Sequence, residues 1–496
     1  MHTEKSSCCR FPSCAVLCLA VLVSGPDALS RAAGSEAAEA PLITATLDQR
    51  EELALTVYSQ GFGLVSDRRR VDLPGGSFRL RWDGVPEQLD PASVFLAPVG
   101  GKEGLTILEQ FYDDDLVSPA RLLELYVGRE ITLVQEDRDL REKRTPARLL
   151  STSGPTVEVD GTVVVGHPGR IELPELPPGL LLRPSLGWLA AGKTSGRMLL
   201  EARYLTGGLT WTAGYRLDLN QEETAAELSG LVSVENRSGT DYPDVSLRLV
   251  AGDVNRQAPG GQNSGRNKMM RAPAAEMDMA AGSAADFGEE ALSGYYLYTL
   301  GRSAAVLDNR TTRLSLVEAA GVPVERQLIL RGNPMHPGSS YGEVQREPVA
   351  VVLRVKNSEK DGLGRPLPAG VWQVFKEDSS GAQLFLGESR FGHSARGTEV
   401  VIGVGNSFDV TAERVQTDYR ELSNVRWDVE TAYRITLRNG GSRDVEVLVR
   451  EPVQGQWELR GASQDHTRVD ASTLGFTVAV AAGSSAVLEY RVAIDW

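Results

Sequence analysis

Thioethers, imidazoles and carboxylates are the side chains whose grouping in this chain admits chemistry. Four of the seven methionines, Met269, Met270, Met277 and Met279, fall within eleven residues. Thioethers bind Cu(I), or make adaptable contacts with an apolar partner. No histidine stands nearby to complete a copper site, and a low-complexity loop with scattered methionines accounts for the cluster more simply. Beyond residues 1–40 the histidines His167, His336, His393 and His466 lie far apart, and no His-Glu-x-x-His helix exists. Zinc-ligand spacing is therefore absent, and no metal is expected. Asp113-Asp114-Asp115 offers oxygen ligands but lacks the alternating spacing of a calcium loop. It reads as a solvated run before a helix, whose N-terminus its charge suits. There is no Gly-x-Ser-x-Gly elbow. Gly403-Val404-Gly405-Asn406-Ser407 and Gly362-Leu363-Gly364 lack the following helix of a nucleotide site and read as turns. No catalytic residue and no cofactor can be assigned.

The elements that would position any such group are strands. The stretch Arg197 to Ala251 reads as four in succession. Met198, Leu200, Ala202 and Tyr204 alternate with Arg197, Glu201 and Arg203. Leu209, Trp211, Ala213, Tyr215, Leu217 and Leu219 then share one face, opposite Thr210, Thr212, Arg216 and Asp218. Leu228 to Val234 and Val245 to Ala251 continue the pattern. Side chains on a strand point alternately to opposite faces, so this is a meander with one packed and one wet face. Trp211 is expected in the core.

Tyr204-Leu205-Thr206-Gly207-Gly208-Leu209-Thr210-Trp211-Thr212-Ala213-Gly214-Tyr215 resembles the signature of the family called domain of unknown function 4139. Asn236, Ser238-Gly239, Leu249-Val250-Ala251-Gly252, Gly364-Arg365-Pro366-Leu367-Pro368-Ala369-Gly370 and Gly387-Glu388 fit the same pattern. The resemblance runs from about Leu53 to Trp496. The family includes mucoidy-inhibitor-like proteins and implies no agreed biochemical activity. Its mucoidy-inhibitor-type members carry a coiled-coil insertion in the N-terminal half, whereas this chain has no sustained heptads.

Residues 1–40 have the layout of a secretory signal peptide. Lys5 and Arg10 precede the apolar run Cys14 to Val23, Ser24-Gly25-Pro26 breaks it, and small residues follow. The run is short for a bilayer span, so cleavage is expected over an uncleaved anchor. Leu17 before Cys18 does not suit a lipobox. All four cysteines (Cys8, Cys9, Cys14, Cys18) lie in this leader, so the exported chain should be thiol-free and held by apolar cores alone. A net charge of −14 disfavours nucleic acid as a partner.

Further along, Ser118, Pro119 and Gly128 mark the cap, first turn and stop of one short helix, with Leu122, Leu125 and Tyr126 on its apolar side. The run Leu314–Ala320 fits either a strand or a short helix. The stretch 257–286 has almost no branched apolar residues, so a mobile, disordered loop is expected there. Asn439-Gly440-Gly441 joins two alternating runs and resembles the turn at Asn236, as two related sandwich domains would show. The fold class expected is mainly β: antiparallel β-sandwich-like domains with one short helix and a long mobile loop. The expected domains are 41–190, 191–350 and 351–496. The function expected is that of an exported cell-envelope protein in the periplasm or at the cell surface. It would act as a noncatalytic binding or assembly module for a protein or an envelope component, without a transmembrane helix after leader cleavage. The alternative is an envelope-polymer hydrolase using carboxylates from separate loops. A deep cleft with paired carboxylates would favour the hydrolase, and an exposed apolar patch or sheet edge the binding module.

Overall fold

The computed structural model describes residues 40–101, 104–136, 142–152, 154, 156–166, 169–177, 180–181, 183–256, 287–292, 294–333, 343–422 and 428–495. Residues 1–39 with the four cysteines, residues 257–286 with the methionine cluster, His167 and His336 lie outside the described residues.

Strand is the dominant element of the described chain. It opens with β1 (Leu42–Ala45), β2 (Arg50–Tyr58), β3 (Phe62–Leu73), β4 (Gly76–Asp83), β5 (Phe95–Pro98) and β6 (Leu105–Asp113). Helix α1 (Pro119–Tyr126) leads into β7 (Glu130–Glu136), β8 (Glu142–Ser151), β9 (Thr156–Val159), β10 (Thr162–Val165) and β11 (Arg170–Glu172). Next come β12 (Ser185–Gly192), β13 (Gly196–Gly207), β14 (Leu209–Leu219), β15 (Ala225–Asn236), β16 (Tyr242–Ala251), β17 (Phe287–Leu292) and β18 (Tyr295–Val306). Two very long strands, β19 (Arg310–Arg331) and β23 (Glu399–Glu421), bracket β20 (Val344–Lys356), β21 (Gly370–Glu377) and β22 (Gln383–Phe391). The chain closes with β24 (Val429–Asn439), β25 (Val445–Pro452), β26 (Gln456–Ala462), β27 (His466–Asp470), β28 (Thr473–Val480) and β29 (Ser485–Asp495). Leu314–Ala320 is strand, within β19.

One pairing scheme occurs twice. In the first unit β18, β16, β2, β3 and β13 lie side by side, and β14, β15 and the first part of β19 form the opposing sheet. In the second unit the order is β28, β25, the second part of β19, β20 and the first part of β23. The rest of β23, which still pairs with Val344–Pro348 of β20, continues through β24 and β29 and faces β25 and β28 across the core. Trp211 on β14 meets Tyr298 on β18 across the first sandwich, and Phe476 on β28 meets Tyr490 on β29 across the second. The likeness of the two Asn turns therefore extends to whole units.

This arrangement corrects the meander. The strands from Arg197 to Ala251 do not form one sheet: β13 and β16 belong to one layer and β14 and β15 to the opposite one. The turns at Gly207-Gly208 and Asn236–Asp241 carry the chain across the sandwich. Alternation says which face is apolar, and both layers have such a face, so it cannot say which strands share a layer. Gly403-Val404-Gly405-Asn406-Ser407 is likewise strand and not turn. It lies within β23, where the register against β20 shifts twice while the two strands stay paired on both sides. Gly362 and Gly364 do sit in a turn with left-handed backbone.

One apolar cluster runs from Ala45 to Ile402 and a second fills the C-terminal sandwich around Ile435, Val447 and Phe476. Residue 190 lies inside β12 and residue 350 inside β20. Before the first sandwich closes, β1, β4, β12 and β6 form a small sheet in that order. Between β6 and β12, α1 and the five strands β7 to β11 build a module with its own core of Tyr126, Ile131, Leu133 and Leu149. Ser118 caps α1 by accepting from the Arg121 N–H at 3.2 Å, and Pro119 occupies the first turn as expected. Tyr126 reaches the core, joined by Leu123.

Three buried asparagines stand where strands end. The amide of Asn236 donates to the Thr240 and Val306 carbonyls, and its oxygen accepts from the Ser238 N–H. Asn439 repeats this with the Arg443 and Val480 carbonyls and the Gly441 N–H. Asn357 donates to the Arg365 and Ala395 carbonyls and accepts from the Gly364 N–H. Each side chain satisfies backbone groups that the corner removes from the ladder, where orphaned groups are costly. Asn439→Ala should therefore lose about 1–3 kcal/mol of stability in urea denaturation. An unchanged midpoint would show that water replaces the amide.

Candidate functional site

The large aromatic residues of the family-like pattern, Tyr204, Trp211 and Tyr215, face inward. The Trp211 indole is buried and donates to the Val250 carbonyl at 3.1 Å. The Tyr215 ring stacks on Trp372 at 4.7 Å, and its hydroxyl donates to the Pro368 carbonyl at 2.8 Å. Tyr298 donates to the Pro366 carbonyl at 3.3 Å. With Asn357 these groups clamp the segment Gly364–Gly370 against the first sandwich. Gly387 is required because β22 crosses the Val404 carbonyl, where any Cβ would collide. The motif is scaffold.

Two charged clusters are buried in the sandwiches. Asp67 accepts from Arg69 at 2.6 Å, from Arg50 at 2.9 Å and from the Trp82 indole at 3.2 Å. Burial pushes the Asp67 carboxyl up, but the Arg69 and Arg50 guanidiniums outweigh it and hold the group below its ordinary range. In the second sandwich Arg414 donates to Glu451 and to the Tyr490 hydroxyl, which itself donates to Glu451 at 2.6 Å. Glu347 lies 3.5 Å from Arg414, yet neither of its oxygens has a hydrogen-bond partner. Burial raises the Glu347 carboxyl, Arg414 opposes the rise, and the Glu451 charge adds to it. These two glutamates are the paired carboxylates that a hydrolase would need, but they sit inside the sandwich on β20 and β25, away from solvent.

An open groove of about 560 Å³ lies between the ends of the β14–β15 and β21–β22 hairpins. Asp218, Gln221, Glu227, Lys376 and Gln383 are among its lining residues. Its polar groups bond to one another. Asp218 accepts from Arg216 at 2.7 and 2.9 Å and from Gln383 at 2.7 Å. Lys376 donates to Glu223 at 2.7 Å, and Gln221 to the Glu377 carbonyl at 3.0 Å. The network ties the hairpin ends together.

The surface with the clearest opening to a partner is β6. Among the described residues it pairs with β12 on one side and with nothing on the other. Register against β12 slips between Leu189 and Ala190, so Leu108 is an extra, bulged residue. Beyond it, Glu109, Phe111 and Asp113 share the outer face. Gln110 and Tyr112 turn inward, where Gln110 accepts from the Trp188 indole at 2.9 Å and Tyr112 donates to the Glu87 carbonyl at 3.4 Å. The Phe111 ring covers Gly187 of β12, a position no side chain could share. Leu108 is 54% exposed, Phe111 40% and Ile107 36%. Glu109, Asp113 and Asp114 are exposed, and no ion pair joins them to another described residue. Burial raises the Tyr112 hydroxyl pKa, with the Asp114 and Glu87 charges adding to the rise.

Sequence reasoning passed over β6 because its alternation breaks at Leu108. Leu105 and Ile107 face inward with odd numbers, Gln110 and Tyr112 with even ones. Of the Asp113–Asp115 run, Asp115 pairs with Arg121 of α1 at 2.7 Å, while Asp113 ends β6. His393 accepts from the Ala369 N–H at 3.1 Å, and His466 is exposed on β27. No group of three or more His, Cys, Asp or Glu converges among the described residues. Nor does a described helix have the length and apolarity to cross a membrane, which says nothing of strands.

No curated protein matches the chain. The family described as a domain of unknown function (DUF4139) matches residues 200–496. That match begins inside β13, yet its first sheet is incomplete without β2 and β3, which lie between β16 and β13. With its matched segment covering more than half of the sequence and its motif residues building the sandwich core, the chain belongs to the DUF4139 family.

Proposed function

We propose that this protein is exported to the cell envelope and acts there as a noncatalytic binding or assembly module for a protein or an envelope component. The observation that supports binding is β6: an edge strand unpaired among the described residues, with Leu108 and Phe111 in the open. The edge carries a bulge and charges but is left uncovered among the described residues, with apolar side chains beside the carboxylates, which suits a partner that pairs with it. The leader-like residues 1–40 support export. The hydrolase reading finds less support, because Asp218 in the open groove is occupied by Arg216 and Gln383.

Two measurements test this role. Protein recovered from the envelope fraction should show, by intact mass, loss of a segment containing Cys8, Cys9, Cys14 and Cys18. A retained Cys18, or a full-length cytoplasmic protein, would overturn export. A photo-crosslinking residue at position 111 should give a discrete adduct in intact cells, and one at the exposed position 468 on β27 should not. Absence of the adduct in a chain with unchanged circular dichroism would overturn the binding role.

A further inference from the structure

We infer that the run Glu109–Asp113 of β6 receives an extended, basic polypeptide segment as an added strand; this rests on the binding role proposed above. Three features converge on that run. Its outer edge has no ladder partner among the described residues, so backbone N–H and C=O groups along it are available for pairing. The stretch is regular, because the bulge lies before it at Leu108. The outer face reads carboxylate, aromatic, carboxylate at Glu109, Phe111 and Asp113, with Asp114 adjoining. None of these carboxylates is neutralised within the described chain, in contrast to Asp115, Asp67 and Asp218, each of which holds an arginine.

Cross-strand neighbours on one face lie about 4.5–5.5 Å apart, where opposite charges attract and like charges repel. The fitting partner therefore carries Lys or Arg, an apolar residue, then Lys or Arg at alternate positions on one face. The apolar residue would extend the surface that Phe111 makes over Gly187. The inner face of the added strand would adjoin Gln110 and Tyr112, so hydroxyl or amide side chains suit its intervening positions. Main-chain pairing supplies affinity in such additions, and the alternate side chains supply selectivity.

The test uses the whole chain and a labelled peptide with the core Lys-Thr-Val-Thr-Lys, read by fluorescence anisotropy at low salt. Binding is expected, and added salt should weaken it. The double variant Glu109→Lys, Asp113→Lys should bind it about tenfold more weakly, while a Glu-Thr-Val-Thr-Glu peptide should gain. Both substitutions are at exposed positions, and circular dichroism checks the fold. A Lys peptide N-methylated at alternate residues should lose binding, since methylation removes ladder donors. Equal binding of the methylated peptide, equal binding to the double variant, or no binding would each overturn the inference. So would a chain that forms dimers which the double variant dissolves, because the edge would then belong to a second copy. If the peptide fails while the Phe111-site adduct persists in cells, strand addition falls and the binding role stands; if both fail, both fall.

Discussion

Glu451→Gln is expected to destabilise the C-terminal sandwich by about 3–5 kcal/mol, the usual cost of removing one partner from a buried ion pair. Glu451 is fully buried, accepts from Arg414 and Tyr490, and is the closest counter-charge to a guanidinium that cannot lose its proton. Glu347 is the contrasting case. It shares the same arginine at 3.5 Å, but both of its oxygens lack hydrogen bonds, as does Oε1 of Glu451. Glu347→Gln removes a poorly compensated charge from the buried site. It should leave stability unchanged or raise it at neutral pH.

The pH dependence has a definite sign. The folded Glu347 carboxyl titrates above its ordinary value of 4.5. The folded state therefore binds the proton more tightly than the unfolded state does. That contribution is fully present below pH 4.5 and is lost as pH rises through the raised folded value. Relative to Glu347→Gln, the wild type should become less stable across that interval. The other groups facing the site are Arg414 and Tyr433 from β23 and β24, Glu451 from β25 and Tyr490 from β29, and both proteins share them. Urea midpoints measured across the interval decide the matter. Parallel curves, or a Glu347→Gln loss equal to that of Glu451→Gln, would mean that Glu347 is an ordinary charged partner of Arg414.

Trp211→Ala should cost about 3–5 kcal/mol, the range for truncating a buried tryptophan. The side chain is 3% exposed and packs edge-on against Tyr298 at 6.3 Å. Its indole N–H also reaches the Val250 carbonyl at 3.1 Å, so one residue of β14 joins β16 and β18 of the opposing layer. Truncation opens a cavity between layers and removes that hydrogen bond. Trp211→Phe keeps most of the ring and should lose chiefly the hydrogen bond, about 0.5–1.5 kcal/mol. Wild-type stability in Trp211→Ala would show that the layers close over the space.

What the sequence alone determined was local. Period-two alternation marked β14, β15, β24 and β29 and assigned Trp211 and Tyr215 to an apolar face, because a strand's pleat forces successive side chains apart. Turn and cap chemistry did the same for Asn439, Ser118 and Pro119. The tertiary structure alone decided which strands share a layer. Leu205 and Leu209 sit four residues apart in β13 and β14 of opposite layers, and both strands carry the same alternation. It alone decided face parity beyond a bulge, since the extra residue Leu108 exchanges inner and outer positions and hides Phe111 from a fixed period. It also joined Glu347, Arg414 and Glu451, which lie on three strands of the second sandwich. Their spacing along the chain carries no trace of that contact, because the distance between side chains on different strands is set by pairing and layer order and not by sequence separation.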